Sequence, residues 1–360
     1  MRFVLGLVAM LLGGWLLALL TLGARGWDGP ATNHFDGERF QMPGGVTVAD
    51  KGFLDLLRWQ TSREPAAWPA KVAIVPAKPA ARVDGERIVA TMVGHATMLL
   101  QTEGLNILTD PIWSERASPV AFAGPQRVTA PGIAFDDLPK VDVVLVSHGH
   151  WDHLDVPTLK RLWGRDRPKI IVPLGHGALL RRHGIAAVEA DWGQSLVLSP
   201  TASVVPERVQ HWTSRWGIDR NRALWAGYSL LLPGGTIYFA GDTGYGSGDF
   251  FREVRRHGPV RLALLPVGAY EPRWFMETQH LNPAEAVKAM RDLGAADAIG
   301  LHWGTFQLTD EGWDTPRAEL AVALREAGVA AERFPALLAG EARVFQGSEA
   351  AAPLPETIMR

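Results

Sequence analysis

Residues 148–153, HGHWDH, place three histidines and one aspartate within six positions of a chain that has only 11 histidines in all. His148 and His150 are two residues apart directly after an apolar run, so both rings can point to one side. Asp152 and His153 follow after the chain turns and can face a second point. The chain has no cysteine, so a metal site here has to be built from imidazole and carboxylate.

Three more polar residues each follow an apolar stretch later in the chain: His211 in VQHW, Asp242 in AGDTG and His302 in LHWG. With the HGHWDH cluster they supply five imidazoles and two carboxylates. This set of donors suits zinc, with iron or manganese as the alternatives, in two adjacent sites. A carboxylate can bridge two metal ions in a way that a neutral imidazole does not.

The elements that must position these residues are short strands and helices. From Arg87 onward the sequence predicts strands in RIVATMVG, ATMLLQT and LNILTD, and a buried strand in VDVVLVS that ends at the HGHWDH cluster. The stretch NPAEAVKAMRDLG predicts a helix with Asn282 as its N-cap and Gly294 at its end. The pattern predicts an α/β fold, with sheets covered by helices in one domain of about 260 residues.

The N-terminus has a different character, because no residue from 3 to 23 is charged. A stretch of about 20 apolar residues is long enough to cross a bilayer. We predict a signal anchor or transmembrane helix at 1–25, an extension wrapping the domain at 26–86, the metal-binding domain at 87–346 and a C-terminal tail at 347–360. A cleaved export signal is the alternative. In a bacterial source, either would place the domain outside the cytoplasmic membrane, in the periplasm or another extracytoplasmic space.

Composition excludes several other classes of protein. Hydrophobic residues make up 47% and charged residues 21%, which is typical of a globular protein. The net charge of −2 gives no reason to expect nucleic acid as a partner. The absence of cysteine excludes a disulfide framework and any thiolate metal site.

The HGHWDH cluster resembles the HxHxDH signature of the metallo-β-lactamase superfamily. Longer strings resemble its N-acyl-phosphatidylethanolamine-hydrolysing phospholipase D branch, and they are NHFDGERFQMP, VGHATMLLQTEGLNILTDPIWSERASP, YEPRWFMETQHLNPAEAV and LHWGTFQLTDE. The resemblance runs from Asn33 to Phe345, nearly the whole chain beyond the predicted anchor. It implies a four-layer αββα sandwich with the metal site along one edge of the two sheets.

Carried over by position, the resemblance implies two Zn²⁺ ions. One ion would be held by the imidazoles of His148, His150 and His211. The other would be held by a mixed set, which is Asp152, His153 and His302. The remaining ligand, Asp242, would bridge the two ions.

The resemblance also implies residues that act beside the ligands. Asp110, at the end of LNILTD, would support the loop of the metal site, and His280 in TQHLNP would line the active site, where it would orient the phosphate or protonate the leaving group. The residues implied in catalysis are therefore Asp110, Asp152, Asp242 and His280. By contrast, we expect His95 in GHAT to be a structural residue at a strand end.

The implied activity is that of a binuclear, metal-dependent phosphoric diester hydrolase. A metal-bridging hydroxide would attack phosphorus in N-acyl-phosphatidylethanolamine and release N-acylethanolamine and phosphatidic acid. The implied partners are a phospholipid substrate and a membrane, and the resemblance suggests a homodimer. Hydrolysis of another phospholipid, a lactone, a nucleotide diester or a β-lactam uses the same ligands and stays open. A non-catalytic metal-binding membrane protein is the alternative from a different class.

Overall fold

The structure is a computed structural model that describes residues 26–43 and 51–346, together with Gly13. Apart from Gly13, the anchor predicted at 1–25 lies outside the described residues, and so does the tail predicted at 347–360. Within the described residues, no helix combines the length and the apolarity that crossing a bilayer requires.

Thirteen strands form two sheets in the described part of the chain. Their bounds are β1 Ile88–Gly94, β2 Thr97–Thr102, β3 Leu105–Thr109, β4 Val143–Leu145, β5 Lys169–Pro173, β6 Val188–Ala190, β7 Leu196–Ser199, β8 Ala202–Glu207, β9 Gly227–Leu232, β10 Gly235–Phe239, β11 Val260–Pro266, β12 Asp297–Leu301 and β13 Ala342–Phe345. The first sheet has the order β13-β1-β2-β3-β4-β5-β6, and the second has the order β12-β11-β10-β9-β8-β7.

Helices lie between the strands along the chain. Their bounds are α1 Phe53–Ser62, α2 Val156–Asp166, α3 Gly177–Arg182, α4 Asp249–Glu253, α5 Arg273–Met276, α6 Pro283–Leu293 and α7 Thr315–Glu326. Short 3₁₀ turns occupy Phe135–Asp137, Val254–His257 and Ala331–Arg333. The prediction for α6 is confirmed: the Asn282 side chain accepts a hydrogen bond from the Glu285 amide, and Gly294 ends the helix at φ +63°.

Three hydrophobic clusters separate the layers. The cluster between the sheets joins residues such as Ile107 and Val143 of the first sheet to Leu230 and Leu264 of the second. A second cluster packs α2 and α3 onto the outer face of the first sheet, and a third packs α4, α6 and α7 onto the outer face of the second. The structure thus confirms the predicted α/β fold with two sheets covered by helices.

The segment 26–43 and the stretch from 63 to 87 run over this domain. Phe35 and Phe40 are buried in the cluster beneath α4 and α6, and the Trp27 amide donates to the Arg222 carbonyl. Further along, the Ala77 amide donates to the Gly132 carbonyl. These contacts are of the kind expected for an extension that wraps the domain.

We expect Leu264→Ala to lower the free energy of unfolding by about 2–5 kcal/mol, because it opens a cavity between two sheets that cannot both relax. Leu264 is completely buried in the cluster between the sheets. The measurement is urea unfolding followed by circular dichroism. The control is Val197→Ala on an edge strand, where the side chain is 68% exposed, and it should change the free energy by less than about 0.5 kcal/mol. Equal effects of the two changes would contradict the assigned core.

Candidate metal centre

The predicted ligands come together because the strands that precede them run in one direction. Within the first sheet β3 and β4 are parallel, and β1 shares their direction because β2 lies antiparallel between β1 and β3. In the second sheet β8, β10, β11 and β12 likewise share one direction. The carboxyl ends of these strands therefore meet at one edge of the sandwich. All seven predicted ligands follow such an end, namely His148, His150, Asp152, His153, His211, Asp242 and His302.

The first group of donors is His148, His150, His211 and Asp242. His148 Nε2 lies 2.8 Å from His150 Nδ1, which lies 3.4 Å from His211 Nε2. Asp242 Oδ2 is 3.9 Å from His148 Nε2 and 3.8 Å from His211 Nε2. Three imidazole nitrogens and one carboxylate oxygen therefore surround a single point.

The second group is Asp152, His153 and His302, and it uses the same Asp242 oxygen. His153 Nε2 and His302 Nε2 are 3.1 Å apart and lie 3.1 and 3.2 Å from Asp242 Oδ2. Each of these nitrogens also lies 3.3 Å from Asp152 Oδ2. Asp242 Oδ2 therefore belongs to both groups, which is the position that the resemblance implies for a bridging ligand.

These distances fit a bound divalent cation. Four ligands placed tetrahedrally at about 2.0 Å from zinc are about 3.3 Å apart. The donor atoms of the second group, which are Asp152 Oδ2, His153 Nε2, His302 Nε2 and Asp242 Oδ2, have this spacing. Nitrogen and oxygen donors without sulfur suit zinc, and iron and manganese accept the same donors.

The outward nitrogens of three ligand rings, those of His148, His153 and His211, are held by neighbouring groups. His153 Nδ1 donates to Asp110 Oδ2 at 2.6 Å, and Ser147 Oγ donates to the same oxygen at 2.6 Å. His148 Nδ1 lies 2.9 Å from Ser147 Oγ, and His211 Nδ1 donates to the Gln279 carbonyl at 3.0 Å. Contacts of this kind fix the direction of a ligand ring and keep its inner nitrogen free for a metal. The predicted supporting role of Asp110 is consistent with this position.

Burial and charge set the protonation states of the donors. Burial alone would raise the pKa of Asp242, but the imidazoles of His153 and His302 hold that pKa well below its usual range. The pKa of Asp152 is also held well below its usual range, since His153 and hydrogen bonds from neighbouring rings outweigh burial. Burial lowers the pKa of His148 well below its ordinary value. For two other ligands burial is outweighed: the Asp242 carboxylate raises the pKa of His153 well above its ordinary value and that of His302 to about 9. Ionised carboxylate and neutral imidazole are the forms that coordinate metals, so His153 and His302 would each release a proton when a cation binds.

His280 lies at the rim of the centre. Its Nδ1 is 4.0 Å from Asp242 Oδ2 and has no hydrogen-bond partner, and its ring contacts the rings of His211 and His302. The helix α5 and its connection to α6 position it, because Arg273 Nη1 donates to the His280 carbonyl at 3.0 Å. Its position agrees with the prediction that it lines the active site.

Two further residues hold the ligands, and neither was predicted to do so. His95, expected to be structural, has its Nε2 2.8 Å from Asp152 Oδ2. Arg215 is buried, donates to the carbonyls of Gly149 and Leu154 at 2.9 and 3.0 Å, and stacks 3.5 Å from the Trp151 ring. These two hydrogen bonds hold the HGHWDH loop near its start and directly after its end. A histidine at the end of β1 was a detectable signal, whereas the chain offers none for Arg215.

Comparisons with known proteins agree with this geometry. A family model described as Beta-lactamase superfamily domain matches residues 105–303. An uncharacterized protein of Mycobacterium tuberculosis is 37% identical over 342 residues, which cover 90% of this chain and 90% of that protein. The N-acyl-phosphatidylethanolamine-hydrolyzing phospholipase D 1 of Caenorhabditis elegans is 40% identical over 242 residues, which cover 64% of this chain and 68% of that protein.

The fold has a counterpart among solved structures. Igni18, a metallo hydrolase from the archaeon Ignicoccus hospitalis, superposes with a TM-score of 0.54 at 19% identity. The match covers 72% of this chain and 99% of that one. At this level of identity the similarity supports the fold alone.

We expect Asp110→Asn to weaken metal binding by about 10–100-fold, because asparagine has one acceptor oxygen where Asp110 uses two, so its NH2 group would face either the Ser147 amide or the donors Ser147 Oγ and His153 Nδ1. The measurement is a titration of the metal-free protein with zinc in competition with a chromophoric chelator. Asp136→Asn is the matched control, since Asp136 is exposed and far along the chain from any ligand. Unchanged zinc affinity in Asp110→Asn would show that Asp110 does not orient His153.

Proposed function

The chain belongs to the metallo-β-lactamase superfamily of metal-dependent hydrolases, and we propose that it is a phospholipase D-type phosphodiesterase that acts on N-acyl-phosphatidylethanolamine. Water would add to phosphorus, and the bond from phosphorus to the ethanolamine oxygen would break. The products are phosphatidic acid and N-acylethanolamine. The relative from Caenorhabditis elegans, whose name states this substrate, supports the choice of lipid.

The observation that carries the phosphodiesterase proposal is the sharing of Asp242 Oδ2 by two groups of donors. Two adjacent cations suit a phosphodiester, since the attacking oxygen and the leaving oxygen both need stabilisation. Two bound Zn²⁺ ions would lower the pKa of water towards neutrality and would neutralise charge on the phosphoryl oxygens. Asp242 holds the two groups of donors in one rigid arrangement.

His280 has the properties of a group that acts on the substrate itself. Burial lowers its pKa well below the usual value, so its ring is neutral, with one nitrogen that donates and one that accepts. Its unpaired Nδ1 is close to Asp242 and so to the space where the phosphate would lie. From there His280 can orient a phosphoryl oxygen or pass a proton to the leaving ethanolamine oxygen.

Exposed apolar side chains on α1 and on α5, the short helix that precedes His280, support a lipid substrate. On α1, Leu54 is 76% exposed and Leu57 is also exposed, and Trp274 on α5 extends this apolar surface. The Arg58 guanidinium lies 4.8 Å from the centre of the Trp274 ring, so the surface has a cation beside it. An apolar surface with a basic group suits an interface with anionic lipid.

The proposal also covers where the protein is located and how it assembles. The uncharged stretch from 3 to 23 would anchor the protein, with the catalytic domain in the periplasm or another extracytoplasmic space. The lipid would then enter from the plane of the membrane. A homodimer is part of the proposal because the branch resemblance suggests one.

The first test is lipid turnover by zinc-loaded protein in mixed micelles. N-acyl-phosphatidylethanolamine, phosphatidylethanolamine and phosphatidylcholine would compete, with products identified by mass spectrometry. We expect N-acylethanolamine together with phosphatidic acid, and loss of turnover when zinc is removed by chelation. Hydrolysis of bis(p-nitrophenyl) phosphate or a lactone without lipid cleavage would keep the metal chemistry and reject the lipid. No turnover of any substrate would favour a non-catalytic metal-binding protein.

In the same assay we expect Asp242→Ala to lower turnover by about 10³-fold or more, because both groups of donors lose their shared oxygen. The zinc content should fall together with activity. Asp249→Ala is the matched control, because the Asp249 side chain is 61% exposed on α4. An Asp242→Ala protein that is folded and retains the wild-type rate would contradict the two-metal account.

The substitution His280→Ala tests whether His280 takes part in the reaction without binding a metal ion. We expect kcat to fall by about 10²–10⁴-fold, the usual contribution of a group that transfers a proton. Zinc content should stay at the wild-type value, because both groups of donors are complete without His280. His183→Ala, at the end of α3, controls for loss of an imidazole elsewhere. A parallel loss of zinc and activity would make His280 a ligand instead.

A further inference from the structure

His95 connects the end of β1 to the metal centre through its backbone. It has a left-handed backbone with φ +57°, a conformation that is unusual for a residue with a side chain. The His95 amide donates to Thr305 Oγ1 at 2.8 Å, and the His95 carbonyl accepts from the His302 amide at 2.9 Å. His95 therefore holds the turn that carries His302.

The ring of His95 reaches a second ligand. His95 Nε2 lies 2.8 Å from Asp152 Oδ2, the oxygen that also lies 3.3 Å from the inner nitrogens of His153 and His302. An ionised carboxylate only accepts hydrogen bonds, so Nε2 must carry the proton of the ring. A carboxylate oxygen has two lone pairs. One of them receives the His95 proton, which directs the other towards the point between Asp152, His153 and His302.

Within the described residues, the metal ligands that His95 contacts all belong to the second group of donors. Its ring lies 4.1 Å from that of His302 and 5.3 Å from that of His153. No hydrogen bond or ring contact joins it to His148 or His150 in this part of the chain. The ring is fully buried and packs edge-on against Phe306, so its direction is fixed.

We propose that His95 is a positioning residue for the second metal ion alone, acting on Asp152 through its ring and on His302 through its backbone. This inference rests on the proposed metal centre and not on any particular substrate. Without the Nε2–H donor, the Asp152 carboxylate can rotate about its side-chain bonds and its free lone pair loses its direction. The second ion should then bind more weakly, while the triad of His148, His150 and His211 keeps the first.

Asparagine and glutamine form a matched pair of substitutions at this position. The amide nitrogen of asparagine is as many bonds from the backbone as Nδ1, and that of glutamine is as many bonds away as Nε2. His95→Asn therefore loses the donor to Asp152, and asparagine accepts a left-handed backbone readily. His95→Gln can restore the donor.

The experiment is a zinc titration of the metal-free protein with a chromophoric chelator as competitor, in which wild type should bind two ions per chain. We expect His95→Asn to weaken one binding step by about 10–100-fold and to leave the other within about 3-fold. His95→Gln should recover most of the lost affinity. The melting temperature of each metal-free variant controls for a general loss of structure, and we expect it to stay close to that of wild type.

A double-mutant cycle with Asp152→Ala tests whether His95 affects binding of the second metal ion through Asp152. If His95 acts through Asp152, then His95→Asn should add little once Asp152 is alanine, because the two changes remove the same interaction. Three results would overturn the proposal: additive losses, weakening of both binding steps alike, or a wild-type chain that binds a single ion. Zinc affinity is measured without substrate, so failure to cleave the lipid would leave this result standing.

Discussion

One carboxylate oxygen joins the two halves of this molecule. Asp242 follows β10 of the second sheet, and His153 follows β4 of the first sheet. Nevertheless, Asp242 Oδ2 lies 3.1 Å from His153 Nε2. A buried carboxylate among imidazoles is costly in free energy unless its charge is compensated. The surrounding imidazoles supply that compensation, and a cation would supply more. The two sheets must therefore stay in one relative position, and the cluster of apolar side chains between them keeps them there.

The approach of the two sheets at this edge needs special backbone. Gly241, directly before Asp242, has φ +61°, and a Cβ there would lie 2.6 Å from the Cβ of Ser147. Only glycine lets the two loops come this close. Ser147 is the residue that donates to Asp110, so the close approach also brings the loop after β10 beside the support of His153. The contact between Gly241 and Ser147 therefore sets both the packing of the two loops and the geometry of the groups around the metal site.

Where the signal is local, the sequence predicts which polar residues the structure brings together. The HGHWDH spacing, the polar residues at strand ends and the cap of α6 are patterns within a few residues, and the structure brings the predicted ligands together. What the sequence did not reveal depends on distant partners. The bond from His95 to Asp152 spans 57 positions, and that from Arg215 to Gly149 spans 66. His176, directly before α3, illustrates the same limit: it is buried, and its Nε2 donates to the Leu224 carbonyl 48 positions away.

Separate elements carry the ligands and the surroundings of the substrate, and this division has a physical reason. Metal ligands need fixed positions, because ordering flexible donors costs free energy and so weakens the binding of the cation. They therefore follow strands of the core and are held by buried groups such as Asp110, His95 and Arg215. His280 follows the short helix α5, which packs against α1 through the rings of Trp59 and Phe275 at 4.9 Å. The helix α1, with its exposed apolar side chains, is thus attached to the segment that carries His280, which is not one of the predicted ligands.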